Sequence, residues 1–452
     1  MHGHGRTGRE HALGAICAGL FATMGCAGAE QPGCPEGSEV IEVDSSDALA
    51  EELGGASSGS CLALAAGSYA AVDLPAGVSL VGDGQDSVTL AGVRLGGSTL
   101  LANVTVAGGG VVVASGATGV RVEGVKISGS TGDAIVIEAS AEAALAGVAV
   151  AAGASYGIKA FDVAGLSLVD TTVEQTAGPG LWVQCGGGCD CPASPAISLT
   201  RVAVRGASRV GASFVGVAAT IDGLDISDVR PGDASEIGLP VALNASACAF
   251  LDGHSVRVAD EDPFDSAHGI LIDGAGAKLG LDADHGIEVT GSVGGIWVQN
   301  VSAERPVALS YGKLSANRGV GVGLGGSSVG IIIDYFEVLD TAVDMVPVKS
   351  GDATSVEEVG DGLVWLGAAQ AKIDHLVVGN SGRASVLIDG AVGPGSSLAH
   401  VTLQGADVDK GILQQSYSGM GAPDMGAETP TIEQVATEQY SVPLAPVAPK
   451  AQ

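Results

Sequence analysis

The stretch from Gly132 to Gln184 states one short phrase three times. Asp133-Ala134-Ile135-Val136-Ile137, Tyr156-Gly157-Ile158-Lys159-Ala160 and Pro179-Gly180-Leu181-Trp182-Val183 follow one another at intervals of 23 residues. Each places a small residue before an inward-outward-inward triplet, and an alternation of period two belongs to a strand. A supersecondary unit of twenty-odd residues cannot bury its apolar side alone and must stack on copies of itself. The chain therefore reads as a coil.

The small residue before each triplet serves as a ruler, with marks at Ser87, Gly110, Ala134, Gly157, Gly180, Gly211, Pro240, Gly269, Gly295, Gly319, Ala342, Gly362, Ser385 and Gly411. Further strand phrases lie between marks, among them Val120-Arg121-Val122, Val125-Lys126-Ile127 and Leu166-Ser167-Leu168. Three short strands per turn predict three parallel sheets, and about 13 coils at strand spacing make a rod of about 60 Å. A β-sandwich also uses many short strands, but it calls for two-residue Asn-Gly or Asp-Gly turns and gives no reason for a constant coil length. The expectation is an all-β, single-domain parallel β-helix. Aromatics are only 3% of the chain, so Val, Ile, Leu and Ala must build its core, and 72 glycines supply the corners.

Residues 1–29 read as an export segment, with Arg6 and Arg9 ahead of a short apolar run from Ala12 to Met24. Thr23-Met24-Gly25-Cys26 resembles a bacterial lipobox, which implies lipidation of Cys26 and an outer-membrane or cell-surface lipoprotein. Ala27-Gly28-Ala29 offers plain cleavage instead, to a periplasmic or secreted protein. The membrane is reached only through that N-terminal lipid. Six cysteines follow: Cys34, Cys61, Cys185, Cys189, Cys191 and Cys248. In an oxidising compartment they suggest three disulfides, Cys34 with Cys61 and two more, of open pairing, among the other four. The C-x-C spacing of Cys189 and Cys191 does not suit zinc. A formal charge of −31 repels phosphate backbones and excludes nucleic acid as the favoured partner.

Residues 30–40 form a tether, and 41–86 an N-terminal cap. Within the cap, Ser46 is expected to cap a helix running to about Leu53, which lids the open end of the solenoid. Cys61-Leu62-Ala63-Leu64-Ala65-Ala66-Gly67-Ser68-Tyr69 and Val78-Ser79-Leu80-Val81-Gly82-Asp83-Gly84 follow. Together with the helix these phrases resemble the entry of right-handed parallel β-helix proteins of the pectate-lyase-like superfamily. The resemblance implies the right-handed fold and export, and carries no activity. The helix body is expected over 87–415, decaying where Gln414 takes an inward position, with 416–452 as a loose tail.

Function is sought where the ruler fails. The intervals from Gly180, Gly211 and Pro240 are 31, 29 and 29 residues, so the coils of 180–268 carry enlarged turns, and the last four cysteines lie in them. Trp182 and Trp297 take the outward middle position of their triplets, four coils apart, where sugar rings could stack on them; the plainer reading has each covered by a neighbouring turn. Trp365 falls on an inward position. Arg201, Arg205, Arg209 and Arg230 lie near Asp222, Asp225 and Asp228, a mix that suits a polysaccharide lyase but is also an ordinary ion-pair cluster. Asp225 and Arg230 are the candidates for that site. Ile373-Asp374-His375 echoes part of a pectate-lyase phrase without its tryptophan and is read as chance. Asp260, Glu261, Asp262 and Asp265 precede His268, while Asp282 and Asp284 precede His285. Calcium is the cation such turns suit, but the ruler puts the two histidines on different sheets, and no cofactor or metal site is assigned.

These readings converge on an exported surface protein that binds a polysaccharide without turning it over, or serves in adhesion or envelope structure. The alternative is a lyase or hydrolase acting beside the enlarged coils. No catalytic residue is assigned, and the oligomeric state is left open.

Overall fold

The computed structural model describes residues 33–153, 155–190, 196–232, 240–260, 267–350, 353–390, 392–404, 411–415, 431–433 and 436–437, of which 345–350, 353–358, 413–415, 431–433 and 436–437 are described as backbone alone. Residues 1–29, expected to be an export segment, lie outside them with Cys26, and so does Cys191.

Parallel pairing links each strand to the strand one coil later, in three columns. Ladder I begins with Glu39–Val43 on Ser60–Leu64 and ends with Ser397–Gln404 on Thr431–Glu433. Ladder II begins with Gly67–Tyr69 on Val88–Leu90 and closes on Ala436–Thr437. Ladder III runs from Val72–Leu74 to Ile412–Gln415 through fourteen strands. This is a parallel β-helix of thirteen stacking intervals in a single body. The stretch expected as tail thus supplies two further strand segments at the end of the rod.

The three expected sheets are three ladders, but I and II are hydrogen-bonded as one 23-stranded sheet. From Gly165–Glu174 onward most strands run around the corner between them. A single residue makes each bend: Asp170, Arg201, Ser255, Tyr311, Tyr335, His375 and His400 all have φ between 48° and 55°. One left-handed residue turns the chain while its neighbours keep pairing, as in Val169 with Thr200 and Thr171 with Val202 on either side of Asp170.

The ruler has a steric origin. A Cβ on Gly157 would lie 2.5 Å from the carbonyl oxygen of Gly180 and 2.3 Å from Val173 Cγ1. At Gly180 it would lie 2.8 Å from the oxygen of Gly211. Coils close up here until little side chain fits. Four marks need correction. Val88–Leu90 after Ser87 belongs to ladder II, and Val93–Leu95, after Gly92, is the ladder III strand of that coil. The register of Ala212 with Leu243, and of Ile296 with Val322, moves two marks to Ala242 and Gly321. After Ala342 no new coil starts: Asp344–Ser350 pairs antiparallel with Ala353–Leu366, and Gly319–Gly325 pairs directly with that second strand. One coil carries a β-hairpin. The strand Val72–Leu74, which the marks omit, restores the count.

Inward positions form one core running from Val43 to Ile412, and Trp365 is in it with no exposure, its Nε1 donating to the Ala369 carbonyl at 2.9 Å. Each such aliphatic side chain contributes about 1.5–3 kcal/mol on burial. The lid is the helix Ser46–Gly55, with Leu49 buried and Leu53 packed on the core. Its N-cap is Ser45, not Ser46: Ser45 Oγ accepts from Ala48 N, whereas Ser46 Oγ donates to the Ser68 carbonyl and accepts from Ala70 N. No helix of the described residues is long and apolar enough to cross a membrane.

Cys34 and Cys61 are bonded, as expected, and staple the entry. Cys189 pairs with Cys248, and Cys185 is also disulfide-bonded. The Cys189–Cys248 bond joins turns two coils apart. It passes the intervening turn at Gly216, where a Cβ would lie 2.7 Å from the Gly188 oxygen.

Candidate functional site

Trp182 and Trp297 stand in one outward column of ladder III, separated by Ser213, Asn244 and Leu271 in successive register. Four strand spacings put them about 19 Å apart. The two are built alike. Each belongs to a Trp-Val-Gln phrase, and each indole Nε1 donates to the glutamine two residues on, Trp182 to Gln184 Oε1 at 2.9 Å and Trp297 to Gln299 Oε1 at 2.8 Å. That bond runs along the strand's outer face and fixes the ring. Both rings are half-buried. Tyr156 meets Trp182 edge to face at 6.0 Å, and Lys159, its neighbour in the column, lies over the Tyr156 ring and pairs with Asp133. Trp297 lies on Gly323 of the next coil, where a Cβ would meet its Cε3 at 1.9 Å. Between the rings, Asn244 Nδ2 donates to Ser213 Oγ at 2.9 Å and to Ser246 Oγ at 3.3 Å. Ser213 is fully buried, so the face between the two aromatic plates presents Asn244 and, beside Trp297, Leu271.

Asp225 and Arg230 have separate duties. Asp225 sits between Arg205 at 3.7 Å and Arg257 at 3.6 Å, and Arg257 continues to Glu288 at 3.5 Å. This is a ladder of alternating charge on an outer face. Arg230 is exposed, and its Nη2 donates to the Gly206 carbonyl at 2.5 Å. Arg201 forms a two-point pair with Asp170, and that guanidinium holds the Asp170 carboxyl below its ordinary value. The arginines of the enlarged coils thus brace neighbouring coils. Of the acidic turn ahead of His268, residues 261–266 lie outside the described set. His268 is on ladder III and His285 in the turn between ladders I and II, so the two occupy different faces as the ruler implies.

A second constellation escaped the sequence reading. Four of the five histidines among the described residues lie on the corner between ladders I and II. His254 and His285 meet edge to face at 5.6 Å. Farther along the corner, Tyr311, Tyr335, His375 and His400 stack as parallel plates, with centroids 5.1, 4.3 and 4.7 Å apart and planes within 8°. The backbone explains the stack. All four have the same left-handed conformation, one strand spacing apart, so their side chains leave the corner in the same direction. Ring faces are spent on one another, and the edges face outward. On the near side, His375 Nδ1 lies 3.1 Å from Asp334 Oδ1, and His400 Nδ1 lies 2.5 Å from Asp374 Oδ1. The His400 bond holds the Asp374 carboxyl below its usual value. Among the described residues, Asp374, His375 and His400 are the one group of three side chains able to converge on an ion. The sequence signal was present: ring residues recur after 24 residues at Tyr311 and Tyr335 and after 25 at His375 and His400.

No family model matches the chain, and no curated protein matches it. Among solved structures, the A-module of the mannuronan C-5 epimerase AlgE6 of Azotobacter vinelandii is similar over 86% of this chain and 93% of its own, at 13% identity and a TM-score of 0.35. The catalytic domain of a GH87 α-1,3-glucanase in complex with tetrasaccharides is similar over 90% of this chain and 70% of its own, at 11% identity and a TM-score of 0.37. PfbA, a surface adhesin of Streptococcus pneumoniae, is similar over 86% of this chain and 95% of its own, at 11% identity and a TM-score of 0.37. At these scores none of them transfers an activity, and the fold rests on the ladders described above.

Proposed function

We propose that the protein is an exported, surface-associated β-helix that binds a polysaccharide along ladder III without cleaving it. The observation that carries this reading is the pair of Trp-Val-Gln phrases in one outward column. Two indoles anchored in the same way, with Asn244 and Leu271 between them, form a track for a chain of sugar rings. Carbohydrate recognition uses such plates because the axial C–H face of a sugar packs on an aromatic face while its hydroxyls take polar partners. Asn244 and the two glutamines supply those partners. Export is supported by the disulfides at Cys34–Cys61 and Cys189–Cys248, since such bonds persist outside the reducing cytosol. Attachment through a lipid on Cys26 completes the proposal, and the mass of the mature N-terminus tests it.

The ladder III reading is tested by titrating the purified protein with neutral and acidic oligosaccharides, alongside assays for new reducing ends and unsaturated products. Binding that Trp182→Ala and Trp297→Ala each weaken, with no product formed, supports it. Turnover abolished by Asp225→Ala or Arg230→Ala would replace it with a lyase or hydrolase beside the enlarged coils.

A further inference from the structure

We infer that Asp374, His375 and His400 form a binding site for a divalent d-block cation, of which zinc is the natural probe, on the corner between ladders I and II. The donor set is two imidazole nitrogens and one carboxylate oxygen, which suits zinc, nickel or copper and not the oxygen-seeking calcium. Both Nδ1 atoms face one oxygen: Asp374 Oδ1 lies 2.5 Å from His400 Nδ1 and 3.4 Å from His375 Nδ1, and the ligand atoms all fall within 4.8 Å of one another.

In a tetrahedral zinc site with bonds near 2.0–2.1 Å, neighbouring ligand atoms are about 3.3 Å apart. The His375–Asp374 edge is already at that spacing. The His400–Asp374 edge must open by about 0.8 Å, replacing a proton-mediated contact with the metal. His400 is exposed and at the end of the ring stack, so it has room to make that move. Asp334 Oδ1, 3.1 Å from His375 Nδ1, is a partner of that ring and stands outside the convergent group. Three protein ligands leave a fourth position open to water or to a donor from outside. The αL corners at φ 51° and 49° put the two imidazoles in adjacent register, and because their planes are parallel within 8° with centroids 4.7 Å apart, the rings must tilt toward each other to share the ion. The site is independent of the tryptophan track, which lies on ladder III.

The test is calorimetric titration of the metal-stripped full chain with zinc chloride at neutral pH, repeated with cobalt(II) as a coloured probe. His400→Asn is the main variant, since asparagine keeps the left-handed corner. Asp374→Asn, which preserves shape, guards against a folding defect. The expected result is that each variant loses one zinc equivalent per chain, or at least about tenfold in affinity at that equivalent. Uptake should release protons, and calcium should not compete. Zinc uptake that is the same in wild type and in both variants would overturn the inference and leave the ring stack with a structural role alone. Displacement by calcium at equal concentration would overturn it as well.

Discussion

Gly323→Ala tests whether the tryptophan plates are set by the coil beneath them. The added Cβ would stand 1.9 Å from Trp297 Cε3 and 2.2 Å from Cζ3. Carbon contacts settle near 3.5–4.0 Å, so the indole must lift by about 1.6 Å or swing away. Lifting in place is overpacking and costs about 1–3 kcal/mol. Swinging away gives up the bond to Gln299, about 1 kcal/mol, together with the packing of the ring on the glycine. Either route predicts a loss of about 1–3 kcal/mol in urea unfolding, a red-shifted tryptophan emission, and oligosaccharide affinity weakened by about tenfold, although Gly323 itself is buried. Gly325→Ala is the control. Its Cβ would clear the same ring at 3.5 Å and should leave stability within about 0.5 kcal/mol. If the two variants behave alike in stability and emission, Trp297 does not rest on Gly323 and the reasoning fails.

Gly180→Ala forces a Cβ to 2.3 Å from Val204 Cγ1 and 2.8 Å from the Gly211 oxygen, and should cost about 1–3 kcal/mol by denaturant midpoint; a neutral substitution would refute the steric origin of the repeat. Reduction should lower the urea midpoint, since the Cys34–Cys61 and Cys189–Cys248 bonds close loops of 27 and 59 residues and each contributes roughly 3–4 kcal/mol by chain entropy; an unchanged midpoint in reductant would contradict this. The Asp374 carboxyl, held below its ordinary 3.8 mainly by the His400 hydrogen bond, contributes stability that is present above about pH 4 and lost as pH falls through its folded value. Asp374→Asn should therefore flatten the stability profile below pH 4, by a small amount because the carboxylate is 45% exposed and solvent screens the pair. A profile identical to wild type in that range would show that the bond does not persist in solution.

The fold was legible because its cause is local. Close approach of coils demands a small residue at one place per turn, and the alternation beside it follows from the strand, so Gly110, Ala134, Gly157 and Gly180 mark true coils. The same logic explains the errors. Val88-Thr89-Leu90 has the same pattern on the adjoining ladder, and Val241 and Val320 extend the alternation two residues early, so the phase is ambiguous by one repeat of the pleat. At Ala342 an apolar phrase leads into a hairpin, which periodicity alone does not separate from a coil. The fused corner of ladders I and II was hidden because a bend made by one left-handed Tyr or His leaves no glycine in the sequence. For that reason Asp374-His375 looked like a stray fragment: its partner His400 is near only through a full coil with the same corner. Trp182 and Trp297, by contrast, were placed in one column by counting alone. Counting did not reveal the glutamine that anchors each ring, or Gly323 under the second.

The central claim is that a sugar chain lies across the two plates. It is measured most directly by titrating the protein with one oligosaccharide series of increasing length, for wild type, Trp182→Ala, Trp297→Ala and the double variant. The account predicts that affinity rises steeply once the ligand spans about 19 Å, that either single variant removes that rise by about tenfold or more, and that the double variant adds little further loss. Affinity that ignores ligand length, or that survives both substitutions, would contradict it.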